Sequence, residues 1–429
     1  MKVFKFGGAS LRHAAAIKNA ARIVEASAGD SVLVVGSAIG KTTNALEKVV
    51  ELIAQNRSAD KELSALEGYH IAIMDELFGP GDSVYALVDE QFQTIRRMSA
   101  GGLEYDCIYD HVVARGELIS TIILAQFLKK TLPAQWIDAR DYIITDSHFR
   151  EGRVEWTLTQ QRIRQLLPRL EGNVLVTQGF IGQDLHGKTT TLGREGSDYT
   201  AAIFGSSLDA SSVTIWKDVP GVMNADPKRF DGASVFEELP FKEAAEMTYY
   251  GASVIHPKTI KPLANRNIPL LVKNFDDPSL PGTKIHSCTV ANLPPLIVLK
   301  ENQCIISCKV TDFSFIDEGQ VGVIFQALAQ LNIRINMMQN SAITFSICMD
   351  YREVRVQKLI EMLGASFEVY YNTGLTLITI KNYDKRLFDL FRSRPGIVLE
   401  QSSRSTLQLL VRAGDGPDNF RISSDLLLG

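Results

Sequence analysis

A chain of 429 residues is too long for one ordinary core and points to two or three domains. Apolar residues at 45% and charged residues at 22% are the balance of a globular protein, and a net charge of −4 leaves no basic footprint for nucleic acid. No stretch reaches the ~18 uninterrupted apolar residues of a membrane helix. The longest run, 119–128, carries Gln126, and the opening MKVFKFGGAS lacks the apolar stretch and cleavage region of a signal peptide, so the cytoplasm is the expected compartment.

In chain order, alternation over 1–6 predicts a first strand, glycines close it, and a helix follows over 14–26. A β-branched run at 31–35 predicts a buried strand, then a Gly/Ser turn and a helix over 44–55. The order resumes with a strand at 173–176, a Gly-rich loop, a helix near 198–204 and a strand at 212–216. A further strand at 268–275 ends in DDPSLPGT, a Pro/Gly-rich break. This predicts an α/β domain with a mostly parallel sheet, whose ligands gather at the carboxyl ends of strands, where all the Gly-rich loops fall. After residue 283 the character changes. Strands at 304–310, 333–338, 343–350, 367–371, 375–380, 397–401 and 406–411 alternate with helices at 321–331, 353–363 and 385–391. Two β-α-β-β-like units of about 60 residues each predict a duplicated α+β module, a repeat suited to a binding or dimerisation surface.

Five scattered cysteines, Cys107, Cys288, Cys304, Cys308 and Cys348, argue against a disulfide framework. Apolar residues separate Cys304 from Cys308, with no His at finger spacing. On a strand both fall on one face and read as buried thiols, and no structural metal held by the protein is expected.

Lys5-Phe6-Gly7-Gly8-Ala9-Ser10 lies where the first strand gives way to a helix. Its glycines let backbone approach a phosphate, the helix start offers free N–H donors, and the lysine reaches the same phosphate as a point charge. The alternative is a tight turn behind a solvent lysine. Gly36-Ser37-Ala38-Ile39-Gly40-Lys41-Thr42-Thr43-Asn44 encloses three residues between its glycines where a P-loop needs four, so it reads as an anion-suited loop opening a helix. Arg115-Gly116-Glu117 places a carboxylate beside another helix, as part of a site or as a solvated helix-start glutamate. The densest cluster is Thr189-Thr190-Thr191-Leu192-Gly193-Arg194-Glu195-Gly196-Ser197-Asp198. Its hydroxyls, glycines and arginine offer donors to anionic groups, and Ser197 or Asp198 caps the helix that follows. Trp216-Lys217-Asp218-Val219-Pro220-Gly221 leaves a strand for a turn, with lysines able to face a triphosphate. His256, before Pro257, reads as a structural hydrogen-bonder.

Together these segments resemble the aspartate kinases of the amino-acid-kinase superfamily. KFGGAS, SAIGKTTN, RGELIS, TTTLGREGSDYTA, WKDVPGVMNADPK, YYGASVIHPKTI and VKNFDDPSLPGTKI occur in family order over essentially the whole chain. The resemblance implies a three-layer α/β/α catalytic domain over 1–288, with ATP and Mg²⁺. It implies a regulatory region over 296–429 with two ferredoxin-like ACT modules, about 300–365 and 366–413. Carried over, Lys5, Phe6, Gly7 and Gly8 line the ATP phosphates, Lys5 stabilises the moving phosphoryl group, and Asp198 organises lysine and metal. Thr43, Glu117, Arg194 and Ser197 hold L-aspartate, Arg194 taking a carboxylate and Glu117 the ammonium. Lys217, Asp218, Met223, Lys228, Ser253 and Val254 border the nucleotide. Three positions depart from the family: Ala9 stands where Thr is usual, Glu195 where Gly is commoner, and Ser253 where a lysine is common.

The implied reaction needs no general base, because a carboxylate acceptor with a pKa near ~3.9 is already ionised at neutral pH. The ACT-like region is expected to sense lysine or threonine through 319–323 and 336–341, and to join chains into a homodimer or higher oligomer. The chain ends soon after the second module, so no fused homoserine dehydrogenase is expected. The rival readings are another amino-acid kinase of glutamate type, and a catalytically weak amino-acid sensor.

Overall fold

Short runs of Val, Leu and Ile bounded by glycine build the larger sheet. The computed structural model describes residues 1–412 apart from 28, 99–100, 252–254 and 313. The chain runs β1 (Lys2–Phe6), α1 (Ala14–Glu25), β2 (Val32–Gly36), α2 (Thr42–Ala54), α3 (Asp60–Leu77), α4 (Ser83–Arg96), α5 (Tyr105–Leu128), β3 (Ala134–Trp136), β4 (Ile144–Thr145), α6 (Trp156–Arg164) and α7 (Leu167–Leu170). It continues through β5 (Val174–Gln178), β6 (Ile181–Asp184), β7 (Thr189–Thr191), α8 (Gly196–Ser207), β8 (Ser212–Lys217), β9 (Glu238–Pro240), α9 (Phe241–Tyr250), α10 (Pro257–Ala264), β10 (Leu270–Asn274) and β11 (Thr283–His286). Two compact units result: Met1–Val222, Val235–Ala245 and Ser253–Val290 form one, and Met223–Ser234, Glu246–Ala252 and Ala291–Gly429 the other.

In the first unit an eight-stranded sheet has the order β3-β5-β2-β1-β8-β10-β11-β9. It is parallel from β3 to β10, and β11 turns antiparallel to β10. Phe4, Phe6, Val32, Val34, Val174 and Val176 face one core with the apolar residues of α1 to α5. The alternate residues Val3, Leu33, Val35, Leu175, Val213 and Ile215 are just as buried, on the face that α8 covers. Apolar side chains on both faces require helices on both, giving three layers with a mostly parallel sheet at the centre. Helix α5 has the length and mean hydropathy (1.3) of a membrane span, but 78% of that window is buried inside the unit, as for a central core helix. A small sheet, β4-β6-β7, flanks the layers.

The second unit holds β12 (Leu296–Lys309), α11 (Glu318–Gln330), β13 (Ile335–Asn340), β14 (Thr344–Asp350), α12 (Glu353–Leu363), β15 (Glu368–Lys381), α13 (Lys385–Arg392), β16 (Ile397–Ser402) and β17 (Thr406–Arg412). These form an antiparallel sheet of order β13-β14-β12-β15-β17-β16. The strands expected at 367–371 and 375–380 are one strand, and β12 extends well before residue 304. Asn302 (φ 54°) and Gly374 (φ 66°) absorb what would otherwise be turns, as register shifts between the two paired strands. Both long strands therefore serve both halves of the sheet. Ile305, Met337 and Cys348 of one half share a buried cluster with Leu377, Leu399 and Leu410 of the other. Cys304 and Cys308 lie together in the core under α11 and α12, as the strand period requires.

Candidate active site

Strands β1, β2, β5, β8 and β10 are parallel, so their carboxyl ends share one edge of the sheet. Lys5 is level with Ile215 in the β1–β8 pairing, and side chains repeat every second residue, so Lys5 and Lys217 share the face under α8. Asp198, in the first turn of α8, bridges them: Lys5 Nζ lies 2.7 Å from its Oδ1 and Lys217 Nζ 3.3 Å from its Oδ2. Asp198 is 1% exposed and Lys5 7%. Burial alone would push the Asp198 carboxyl up, but the charges of Lys5 and then Lys217 outweigh it and hold the group well below the usual carboxylate range. Asp198 thus sets two lysines at the end of parallel strands, beside a helix N-terminus that favours anions.

Glu195 enters this cluster from the residue before α8. Its backbone is left-handed (φ 56°), a conformation that Cβ disfavours, and its carboxylate lies 3.9 Å from Lys217 Nζ. Burial, and then the charge of Asp198, raise its pKa against the pull of Lys217.

Close backbone approach explains two glycines. A Cβ on Gly8 would fall 2.7 Å from the Ala38 carbonyl oxygen, and Gly40 N–H donates to the Gly8 carbonyl at 3.0 Å. The loops after β1 and β2 are thus held against each other. A Cβ on Gly179, just past β5, would meet Ser197 Cβ at 2.4 Å, so glycine there lets the start of α8 approach the sheet.

Glu117, on α5, is 3% exposed; it accepts a hydrogen bond from Ala38 N–H, and its Oε2 has no hydrogen-bond partner. Burial pushes its pKa to about 8, against that N–H and the charge of Lys5. A buried carboxylate with a vacant oxygen suits a cationic ligand group. Arg194 is exposed and makes no ion pair among the described residues. Thr43, in the first turn of α2, and Ser197, beside Gly179, are half-buried.

The structure thus gathers Lys5, Gly7, Gly8, Glu117, Ser197, Asp198 and Lys217. Asp218 follows β8 and is exposed. Phe6 is fully buried, its ring stacked on Trp216 with centroids 6.3 Å apart, so its contribution to a phosphate site is restricted to backbone. Met223 and exposed Lys228 fall in the second unit, and Ser253 and Val254 lie outside the described residues. His256 caps α10 by accepting from Lys258 N–H.

The threonine run departs from its expected role. Thr191 Oγ1 donates to Asp110 at 2.7 Å, Thr190 Oγ1 pairs with Thr145 Oγ1, and Thr189 Oγ1 accepts from Arg140. These hydroxyls anchor the small sheet and do not wait for an anion. Asp110, which sequence reasoning passed over, also accepts from the N–H groups of Thr191 and Arg150 and ties β7 to α5. Gly179 was missed as well. Its signal is a glycine directly after the apolar run VLVTQ.

Three layers, a mostly parallel sheet and two lysines bridged by a buried carboxylate at its strand ends define an α/β protein suited to binding anionic groups there. The chain belongs to the amino acid kinase family, whose sequence profile matches residues 1–274. It is 33% identical over 399 residues to the lysine-sensitive aspartokinase 3 of Escherichia coli, covering 89% of this chain and 87% of that one. It spans 42% of the bifunctional aspartokinase/homoserine dehydrogenase 2 of Arabidopsis thaliana, at 29% identity. The E. coli aspartokinase III solved with aspartate and ADP (R-state) superposes with a TM-score of 0.83 at 29% identity, over 100% of both chains. The same enzyme with lysine and aspartate (T-state) gives 0.78 over 98% of each.

Proposed function

We propose that the chain is an aspartate kinase, moving the γ-phosphoryl group of ATP onto the side-chain carboxylate of L-aspartate to give ADP and 4-phospho-L-aspartate. The observation that carries this reading is the buried Lys5–Asp198–Lys217 bridge, in a chain alike over its full length to an enzyme solved with aspartate and ADP. The reaction opens the synthesis of lysine, threonine and methionine, and we assign it to the cytoplasm.

Phosphoryl transfer asks the protein chiefly for position and charge. The obstacle is the approach of an anionic acceptor to a triphosphate. Lys5, Lys217 and the backbone N–H groups around Gly7 and Gly8 lower it, while Asp198 keeps both lysines aimed. Arg194 would take a carboxylate of aspartate and Glu117 its ammonium, with Thr43 and Ser197 as neutral donors. Phe6, through its backbone, and Asp218 would border the nucleotide. Mg²⁺ supplies further charge neutralisation when bound with ATP. Asp198 and Glu195 are the carboxylates at hand for it, and the described residues hold no group of three or more acidic, His or Cys side chains. That donor set fits an ion carried mostly by the oxygens of ATP.

The second unit, ACT-like in its antiparallel sheet and helices, would carry the regulation. The lysine named for the E. coli relatives favours lysine over threonine as effector, at the segments 319–323 and 336–341. Feedback then requires that lysine bind two states of the enzyme unequally. Exposed Val323, Phe325, Met338 and Ile343 give this unit an apolar surface suited to a homodimer or higher oligomer.

Incubating the purified chain with Mg-ATP, hydroxylamine and either L-aspartate or L-glutamate tests the reading. Acyl-hydroxamate with aspartate alone is expected. Product with glutamate would move the chain to a glutamate-type kinase, and no product with either would leave an amino-acid sensor.

A further inference from the structure

A cavity of about 750 Å³ opens between the turn after β1, the start of α2 and the outer side of α3. Its walls are apolar, from Ala9, Ala45, Ala65 and Leu66, and its rim carries Arg12, Lys41 and Lys48 against the single carboxylate of Glu62. Lys48 stands 3.9 Å from Glu62, while Arg12 and Lys41 make no ion pair among the described residues. None of Lys5, Glu117, Arg194, Ser197, Asp198 or Lys217 lines it, so it is separate from the phosphoryl-transfer cluster.

Tyr69 links this cavity to that cluster. Its hydroxyl donates to the Arg12 carbonyl at 2.5 Å, in the turn that follows Gly7 and Gly8. The same oxygen lies 2.8 Å from where a Cβ on Gly40 would sit, and Gly40 N–H holds the Gly8 carbonyl. One side chain in the cavity wall therefore touches both loops that would face the ATP phosphates.

We propose that this cavity is a second ligand site, taking a small organic anion with an apolar, ring-sized body, and that its occupancy shifts the loops carrying Gly8 and Gly40. The unneutralised rim charges select the anion, and the alanine and leucine walls select the apolar body. The site does not depend on aspartate being the phosphoryl acceptor.

Anilinonaphthalene sulfonate, an aromatic body with one anionic group, is the probe. The full chain is titrated with the dye, followed by its fluorescence, alongside Ala65→Trp, which fills the cavity from the exposed side of α3, and the double variant Lys41→Glu/Lys48→Glu, which reverses the rim. One saturable site in the wild type, weakened about tenfold or more in both variants, is expected. The dye should also change the KM for ATP of the wild type and leave that of Ala65→Trp alone. Matching circular dichroism and melting temperature separate a filled cavity from a damaged fold. Equal dye affinity in wild type and the double variant overturns the site. Saturable binding with an unmoved KM for ATP overturns its link to the loops. Turnover without dye is read separately, so failure of the kinase reading is distinguishable from failure of the site.

Discussion

Asp198 holds two lysines on one carboxylate at 1% exposure, which makes each lysine structural as well as electrostatic. Lys5→Ala leaves the carboxylate buried with Lys217 alone. Urea unfolding should show a loss of about 3 kcal/mol, and kcat in the hydroxamate assay should fall about 10²–10³-fold. Glu195 has the opposite expectation. Glu195→Gly removes a left-handed Cβ worth about 1 kcal/mol and frees Lys217 of a competing carboxylate. The melting temperature should rise and the KM for ATP fall; a higher KM would show that the carboxylate assists the nucleotide. Glu117 sets a pH dependence. Its folded pKa is raised from 4.5 to about 8, so the stability it contributes is complete below about 4.5 and is lost as pH rises through 8. An ammonium ligand needs the ionised form. The KM for aspartate should therefore fall as pH rises toward 8, about tenfold per unit while the group is mostly protonated. Glu117→Gln should flatten that profile and raise KM throughout.

At the scale of elements, the glycine after β5 decides where α8 begins. Gly179→Ala would set Cβ against Ser197 at 2.4 Å, and the helix start that carries Asp198 must shift. A destabilisation of about 1–3 kcal/mol is expected by urea unfolding, with a larger proportional loss of kcat than the cost in stability explains. Strands and helices at 1–55 and 173–217 were legible because their apolar residues repeat with one clear period. Helices α3 and α4 were not read at all. On α3 the buried stripe is broken by His70, which is fully buried, its pKa pushed down to about 4 by burial, and bonded through Nδ1 to the Leu66 carbonyl and through Nε2 to Thr42 Oγ1. A histidine used as core scores as polar in any hydrophobic pattern. The second unit misled differently: Asn302 and Gly374 are turn residues by type, and pairing between β12 and β15 turns them into irregularities within continuous strands.

At the scale of the whole molecule, the proposed pairing of copies rests on the exposed apolar side chains of the second unit. Light scattering should find a dimer or larger species, and Phe325→Asp with Met338→Asp should shift it toward monomer while circular dichroism is retained. Lysine should lower aspartate-dependent turnover of the native assembly and have less effect on that variant. An unchanged mass in the variant would place the contact elsewhere.

Much of this protein was set by sequence alone: a two-part α/β and α+β chain, glycine loops at strand ends, an anion-handling set of lysine, arginine and aspartate, and a family resemblance carried by seven ordered motifs. These are local properties, written in residue type and spacing over a few turns or one strand. Tertiary structure alone decided that Asp198 bridges Lys5 and Lys217, that Glu195 crowds the latter lysine, that the hydroxyls of Thr189, Thr190 and Thr191 are spent on Arg140, Thr145 and Asp110, and that Tyr69 touches the loops after β1 and β2. Those contacts join residues far apart in the chain. The bridge through Asp198 depends on the register of β1 beside β8, strands that are neighbours in the sheet and distant in sequence, and no local pattern encodes that register.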